Sequence, residues 1–282
     1  PHCTAWLVEH RLPGRLQCHL CGHGERLPRS CTACGAEDRF AACGPGVERV
    51  AEEARALFPD ARIEVMTSDT IGGPASASAF VERMIAGGID MLVGTQIVAK
   101  GHHFPGLTLV GVVDGDIGLS GGDLRAGERT YQLLHQVAGR AGRAGRPGHV
   151  LLQTHAPDHP AMRALAAGDR DGFIDGGIAA RERLALPPFG RLAALVLSGP
   201  DPAVLDRFCR ELARRAPRGP GIDALGPAPA PLAILRGRHR RRFLLRAPRE
   251  APLQDLVAAW LEGEKPPGGI RLQVDIDPYS FL

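Results

Sequence analysis

The sequence predicts an α/β fold in three parts: a parallel-sheet domain, a Cys-rich zinc module before it and a ferredoxin-like α+β domain after it. Three observations carry this. Strands and helices alternate from about residue 47 to 155, and the strands are nearly continuous apolar runs, as in a parallel sheet covered on both faces. Two C-x-x-C pairs stand near the start. From residue 191 the predicted order is β-α-β-β-α-β, a split βαβ unit.

The zinc module is assigned to residues 1–46. Cys18-His19-Leu20-Cys21 and Cys31-Thr32-Ala33-Cys34 are C-x-x-C knuckles, each followed by glycine (Gly22, Gly35). A glycine there lets backbone N–H groups turn toward thiolate sulfur. Four thiolates held tetrahedrally suit structural zinc, and such pairs in a cytosolic chain indicate metal before disulfide. Spacing alone favours one site built from these four cysteines. Cys43 and Cys209 read as core thiols. His2, His19 and His23 could ligate but read as solvated loop residues.

The parallel-sheet domain is assigned to residues 47–155. Val47, Val50, Ala51, Ala54, Leu57 and Phe58 repeat at helical spacing. Strands are predicted at 63–66, 90–94, 107–114 and 148–154, and helices at 75–86 and 125–143. Ligands of such sheets sit at the strand C-terminal ends. Gly94-Thr95-Gln96 and Asp114-Gly115-Asp116 fall there. The central signature is Gln136-Val137-Ala138-Gly139-Arg140-Ala141-Gly142-Arg143, read as Q-x-x-G-R-x-G-R. Arginines three apart share one side of a helical turn, and the glycines leave that side bare for an anion. Arg suits the role because its planar fork gives phosphate two donors and keeps its charge. The competing reading is a Gly/Arg-rich surface turn.

Residues 156–190 read as a helical connector ending at Leu186-Pro187-Pro188-Phe189-Gly190. In the last domain, 191–282, strands are predicted at 191–198, near 222–235, 241–247 and 270–277, with helices at 202–215 and 251–262. The turn between the middle strands is read as Arg236 to Arg242, five arginines and a His in seven residues. That concentration predicts a phosphate-binding tip. Aromatics are few there, so base stacking is weakly supported.

Composition bounds the rest. The net charge is +3 over 282 residues, with lysine only at Lys100 and Lys265. Neither lysine sits in G-x-x-x-x-G-K-[ST], so neither is a Walker A lysine. No run of 18 apolar residues marks a membrane span. The first residue is Pro1, in mid-motif, so the chain is expected to be a fragment, inactive as an ATPase on its own. Cytoplasmic, nucleoid-associated residence is the expectation.

The Q-x-x-G-R-x-G-R stretch resembles motif VI of superfamily 2 helicases. With Leu92 to Gln96, Ala99-Lys100-Gly101-His102-His103-Phe104-Pro105 and Asp123 to Arg129, the middle of the chain is similar to the RecA-like second helicase lobe of the PriA family of primosomal replication-restart helicases (primosomal protein N′). The resemblance extends to Leu186-Pro187-Pro188, Leu225 to Pro229, the Arg-rich turn and Val274 to Pro278. It implies an ATP-dependent 3′-to-5′ DNA helicase that recognises stalled or branched forks and initiates primosome assembly. It implies ATP with Mg2+, two zinc ions, branched and single-stranded DNA, single-strand-binding protein and other primosome proteins. No membrane partner is implied.

By the same resemblance, Arg140 and Arg143 are the catalytic arginines, and Gln136, Gly139, Arg140, Arg143 and Gly101 bind nucleotide. Thr95, Gln96 and Lys100 contact DNA, joined by Arg236, Arg238, Arg240 and Arg241. Cys3, Cys18 and Cys21 share one zinc site with one ligand outside the chain; Cys31 and Cys34 belong to another. This departs from the single four-cysteine site, and predicts that the chain holds zinc poorly or in a rearranged site. After the 63–66 strand the family's D-R-D-T-like element appears as Met66-Thr67-Ser68-Asp69-Thr70, with a basic residue lost. Gln254 is similar to a position that binds the tail of single-strand-binding protein, whereas the neighbouring family arginine is Glu250. The alternative from another class is a non-catalytic zinc-containing DNA-binding scaffold lacking the ATPase lobe.

Overall fold

The computed structural model describes residues 2–9, 15–31, 33–37, 46–67, 74–95, 104, 106–119, 123–142 and 147–280. Gln96, Lys100, Gly101, His102, His103, Asp69, Thr70, Cys43 and Arg143 lie outside the described residues. The chain divides into two compact units. One holds Pro1–Arg39, Gly121–Leu124 and Asp171–Leu282; the other holds Phe40–Ser120 and Arg125–Arg170. The units therefore do not follow the four predicted segments. The Cys-rich module and the last domain are one body, and the predicted connector divides between the two units.

The first unit opens with a small antiparallel sheet of β1 (Val8–Glu9), β2 (Arg15–Gln17) and β3 (Gly24–Arg26), in that order. Its larger part comprises α5 (Arg170–Arg183), β8 (Gly190–Gly199), α6 (Pro202–Arg214), β9 (Asp223–Leu235), β10 (Arg238–Pro248), α7 (Leu253–Leu261) and β11 (Arg271–Ile276). The four strands form an antiparallel sheet in the order β11-β8-β10-β9. This is the split β-α-β-β-α-β arrangement the sequence predicts.

Period-2 and period-3.6 patterns meet in its core. Ala193, Leu195 and Leu197 of β8 and Phe243, Leu245 and Ala247 of β10 alternate onto one sheet face. Leu205, Phe208, Cys209 and Leu212 of α6 form the helical stripe that covers them. Helix α6 starts where Asp201 accepts hydrogen bonds from the N–H groups of Ala203 and Val204 at 2.8 and 3.2 Å. Losing such a cap costs about 1 kcal/mol. Trp260 of α7 meets the Phe243 ring edge-on at 5.4 Å and donates its indole N–H to the Leu212 carbonyl at 2.9 Å. A buried Trp needs such a partner, and this one fixes α7 against α6.

The second unit contains α1 (Val47–Leu57), β4 (Ile63–Met66), α2 (Pro74–Ile85), β5 (Met91–Gly94), β6 (Leu109–Val112), α3 (Ala126–Ala138), β7 (His149–Leu152) and α4 (Pro160–Ala167). β4 pairs with β5 and β6 with β7, both in parallel. The parallel pairing agrees with the sequence, but the single covered sheet does not appear: among the described residues the two pairs are separate sheets. Leu109 is 53% exposed and Leu151 64%. An apolar strand reports what a surface could bury, not whether the same chain supplies the cover.

Candidate functional site

The two knuckles fold alike. Strand β2 ends at Gln17 and delivers Cys18, whose N–H donates to the His23 carbonyl at 2.8 Å. The Gly22 N–H returns to the Cys18 carbonyl at 3.0 Å, with Gly22 at φ +77°. At the second knuckle the Cys31 N–H donates to the Ala36 carbonyl and the Gly35 N–H to that of Cys31, both at 2.8 Å, with Gly35 at φ +72°. Both turns need a left-handed residue, which glycine supplies without a Cβ clash. The N–H groups freed inside each turn face sulfur. Those of Cys21 and Leu20 hold the Cys18 thiol below its usual range, and those of Ala33 and Cys34 do the same for Cys31. For Cys21 the His23 N–H acts in the same direction, but desolvation and the neighbouring Cys18 raise the thiol overall.

The sulfur atoms of Cys3, Cys18 and Cys21 all lie within 4.8 Å of one another. Zinc–thiolate bonds of about 2.3 Å put tetrahedral sulfurs about 3.8 Å apart, so this cluster forms three corners of such a site after a small closure. The donors fit zinc in number and chemistry. Cys31 and Cys34 are not in the cluster. The four paired cysteines therefore do not converge, and the one-site reading from spacing is corrected. Two knuckles in successive turns point their sulfurs to different places. His2 stacks on His23 with centroids 5.3 Å apart. Both line a cavity of about 90 Å³ beside Cys3 and Cys18, without joining the thiol cluster.

The module is fastened to the β9–β10 hairpin. The Thr4 N–H donates to the Ile234 carbonyl at 3.0 Å, and the Ile234 N–H donates to Thr4 Oγ1 at 3.2 Å. The Gly237 N–H donates to the His2 carbonyl at 2.8 Å. No sequence signal announces this join between positions 230 residues apart.

The hairpin itself corrects the predicted Arg-rich tip. Arg236 and Gly237 have φ of +51° and +72° and form a two-residue turn, so β10 begins at Arg238. A turn with two positive φ values is the tight hairpin connection matched to strand twist. Arg238 donates to the Ser198 carbonyl at 2.7 Å and the Gly269 carbonyl at 2.6 Å. Arg240 reaches the Pro231 carbonyl at 2.9 Å, and desolvation lowers its pKa. Arg241 points to the helix side and holds Asp206 through Nε at 2.6 Å and Nη2 at 3.1 Å. Of the four predicted DNA-binding arginines here, Arg236 alone stands in the turn. Arg238, Arg240 and Arg242 share the opposite sheet face by alternation. There Arg240 and Arg242 line a cavity of about 310 Å³ with Ala194, Val196, Gln273 and Asp275.

In the second unit α3 stops at Ala138, five residues before the predicted end. Arg140 follows in a turn, its N–H donating to the Val137 carbonyl at 3.0 Å. The shared side expected of Arg140 and Arg143 involves a residue outside the described ones; Arg140 itself is past the α-helix. The physical reason is Gly142, at φ +77°, whose N–H donates to the Leu107 carbonyl at 3.1 Å. A Cβ on Gly148 would stand 2.2 Å from the Gly142 nitrogen. The second glycine of the motif thus makes a backbone crossing at the entrance to β6. Gly139 caps α3, Gln136 is exposed and Arg140 is half-buried.

Thr95 is exposed just after β5. At the end of β6, Asp116 clamps the end of β7: it accepts from Thr154 Oγ1 and from the His155 N–H, both at 2.6 Å. These bonds hold its carboxyl below the usual range. Its role is to join the two strand ends. Gln254 accepts from Arg191 at 3.1 Å, and Arg191 also donates to Asp277 at 2.7 Å.

Comparison with known proteins places these sites in one context. Residues 182–279 match the family model described as the primosomal protein N C-terminal domain. Residues 1–26, which hold Cys3, Cys18 and Cys21, match that of the PriA DNA helicase Cys-rich region. A replication restart protein PriA of Rickettsia conorii is 42% identical over 279 residues, covering 99% of this chain and 43% of its own length. Those of Bacillus subtilis and Haemophilus influenzae are 35% and 34% identical, with 36% and 39% of their lengths covered. The chain thus spans less than half of these relatives.

Proposed function

Because the chain belongs to the PriA family of replication restart proteins, we propose that it forms the C-terminal part of an ATP-dependent 3′-to-5′ DNA helicase that recognises stalled or branched forks and initiates primosome assembly. The observation that carries this reading is the alignment over 99% of the chain. It runs through the Q-x-x-G-R-x-G-R stretch as well as the two ends.

In this proposal the second unit is a RecA-like second lobe. Bound ATP with Mg2+ supplies the phosphoryl group whose transfer drives movement. Arg140 and Arg143 face its phosphates, with Gln136, Gly139 and Gly101 beside them. An arginine so placed stabilises charge in phosphoryl transfer. The backbone crossing of Gly142 on Gly148 supports the role, since it fixes the turn that carries Arg140. Thr95, Gln96 and Lys100, after the C-terminal end of β5, hold the tracked DNA strand. Arg236 at the hairpin turn, with Arg238 and Arg240, adds backbone contacts on the first unit. Zinc at Cys3, Cys18 and Cys21 fixes the knuckle, with a second ion at Cys31 and Cys34. Single-strand-binding protein docks beside Gln254, which Arg191 holds in place. No helix among the described residues is long and apolar enough to cross a membrane; the place proposed for the protein is the nucleoid in the cytoplasm.

The test uses a full-length protein carrying this chain. Arg140→Ala and Arg143→Ala should each abolish DNA-stimulated ATPase while DNA affinity stays within about twofold. Wild-type turnover in either variant refutes the arginine role. One observation favours a second reading, a zinc-containing DNA-binding scaffold without a motor: the Cys-rich module and the last domain already form one unit. A full-length protein that binds forks yet never hydrolyses ATP would establish it.

A further inference from the structure

Four arginines of the first unit are committed to acids: Arg191 holds Asp277, Arg215 holds Glu264, Arg241 holds Asp206 and Arg246 holds Asp223. Two arginines of the Cys-rich sheet face each other instead. Arg15 of β2 and Arg26 of β3 are direct partners in the antiparallel register. Both are exposed, and among the described residues neither guanidinium has a hydrogen bond or an ion pair. Like charges directly opposite each other on a sheet repel.

The neighbouring positions define the face. Gln17 pairs with Gly24 on β3 and with Val8 on β1. By strand alternation Arg15, Gln17, Gly24, Arg26 and Val8 share one side. Leu16 and Glu25 share the other, and Glu25 lines the cavity beside Cys3 and Cys18. Glu25 therefore turns away from the two arginines. The exposed face carries two guanidinium groups, an amide, a bare glycine and a valine. Two residues before Val8 stands Trp6, 75% exposed.

From this we infer that the outer face of the Cys-rich sheet binds single-stranded nucleic acid. Arg15 and Arg26 together take one backbone phosphate, Gly24 lets the strand approach the sheet, and Trp6 stacks an unpaired base. A phosphate between the arginines converts their repulsion into two charge-assisted contacts. An exposed indole stacks any base without reading sequence. The proposal rests on the DNA-binding reading above but uses residues to which that reading gives no role.

The chain's two tryptophans make the test direct. Trp260 is 2% exposed and Trp6 75%, so Trp6 is the indole a ligand can reach. A short oligothymidylate is titrated into the zinc-loaded chain, following tryptophan fluorescence and the anisotropy of the labelled oligonucleotide together. Quenching that tracks binding supports the proposal. So do protection of Trp6 from acrylamide and a roughly tenfold weaker Kd in Arg15→Gln/Arg26→Gln, with the salt slope lower by about 0.7 for each phosphate no longer neutralised. Anisotropy binding with no change at Trp6 overturns it and leaves the arginines of the β9–β10 hairpin as the DNA site. No anisotropy change overturns both readings. Should the double variant misfold, acrylamide protection in the wild-type chain still decides.

Discussion

Arg241 of β10 grips Asp206 of α6 with both arms of its guanidinium, at 2.6 and 3.1 Å. A guanidinium held by a helix on the core side of the sheet is turned away from any DNA on the opposite face. Arg236, in the hairpin turn, has no such partner among the described residues. Arg241→Gln should therefore destabilise the first unit by about 1–2 kcal/mol in urea unfolding and leave DNA affinity within about twofold. Arg236→Gln should do the reverse, weakening binding and flattening its salt dependence with no loss of stability. An Arg241 variant that is fully stable but fails to bind DNA would return Arg241 to the interface.

The three-thiol cluster makes an unequal prediction for the cysteines. Cys3→Ser, Cys18→Ser and Cys21→Ser should each remove the same bound zinc. Cys31→Ser should leave that ion in place, since Cys31 is not in the cluster. Elemental analysis after gel filtration reads this directly. Equal zinc loss from Cys3→Ser and Cys31→Ser would mean a single rearranged site.

Cys209 stands apart from the other thiols. It is fully buried in the core, and burial, with Asp206 nearby, pushes it up to about 11. At pH 8 its thiolate fraction is then about one in a thousand, so maleimide labelling followed by mass spectrometry should find it unmodified until the protein unfolds. The sign of its pH dependence follows. A raised folded pKa contributes stability that is complete below the unfolded value near 9, and lost between there and about 11. Cys209→Ala should flatten the fall of stability across that alkaline window.

Arg62 and Asp90 immediately precede the paired strands β4 and β5, and the arginine meets the carboxylate at 2.6 and 2.8 Å. Hydrogen bonding to Arg62 lowers Asp90 to about 2. A depressed folded pKa gives stability present above the unfolded value near 4 and lost as pH falls toward 2. Asp90→Asn should remove that acid sensitivity from the second unit. Amide exchange of β5 at about pH 3 and about pH 5 checks it: the wild type should lose protection at the lower pH and the variant should not.

Much of the fold is legible in residue order. Helix α6 and strand β8 fall within a residue or so of their predicted ends because Leu205, Phe208, Cys209 and Leu212, and the odd positions of β8, carry unmixed periodicities. The arginine run is harder. Identity alone does not separate a strand from a turn, and Arg236-Gly237 lacks the Asn-Gly or Asp-Gly form that announces a two-residue hairpin. The end of α3 escapes sequence reasoning for a related reason. Gly142 in the motif suggests clearance for an anion, whereas its positive φ and its close approach to Gly148 make it a backbone crossing. Backbone contacts between remote positions, such as Thr4 with Ile234, leave no trace in composition at all.

The fastening of Thr4 and His2 to the β9–β10 hairpin has a topological consequence. The chain's beginning and its last hundred residues make up one host, and the parallel-stranded unit is a guest spliced between them. A guest of that kind can be exchanged for a short linker while the host keeps its own bonds. Joining the Cys-rich module directly to the ferredoxin-like domain should then give a portable cassette that folds, loads zinc and grips DNA while carrying nothing that consumes nucleotide.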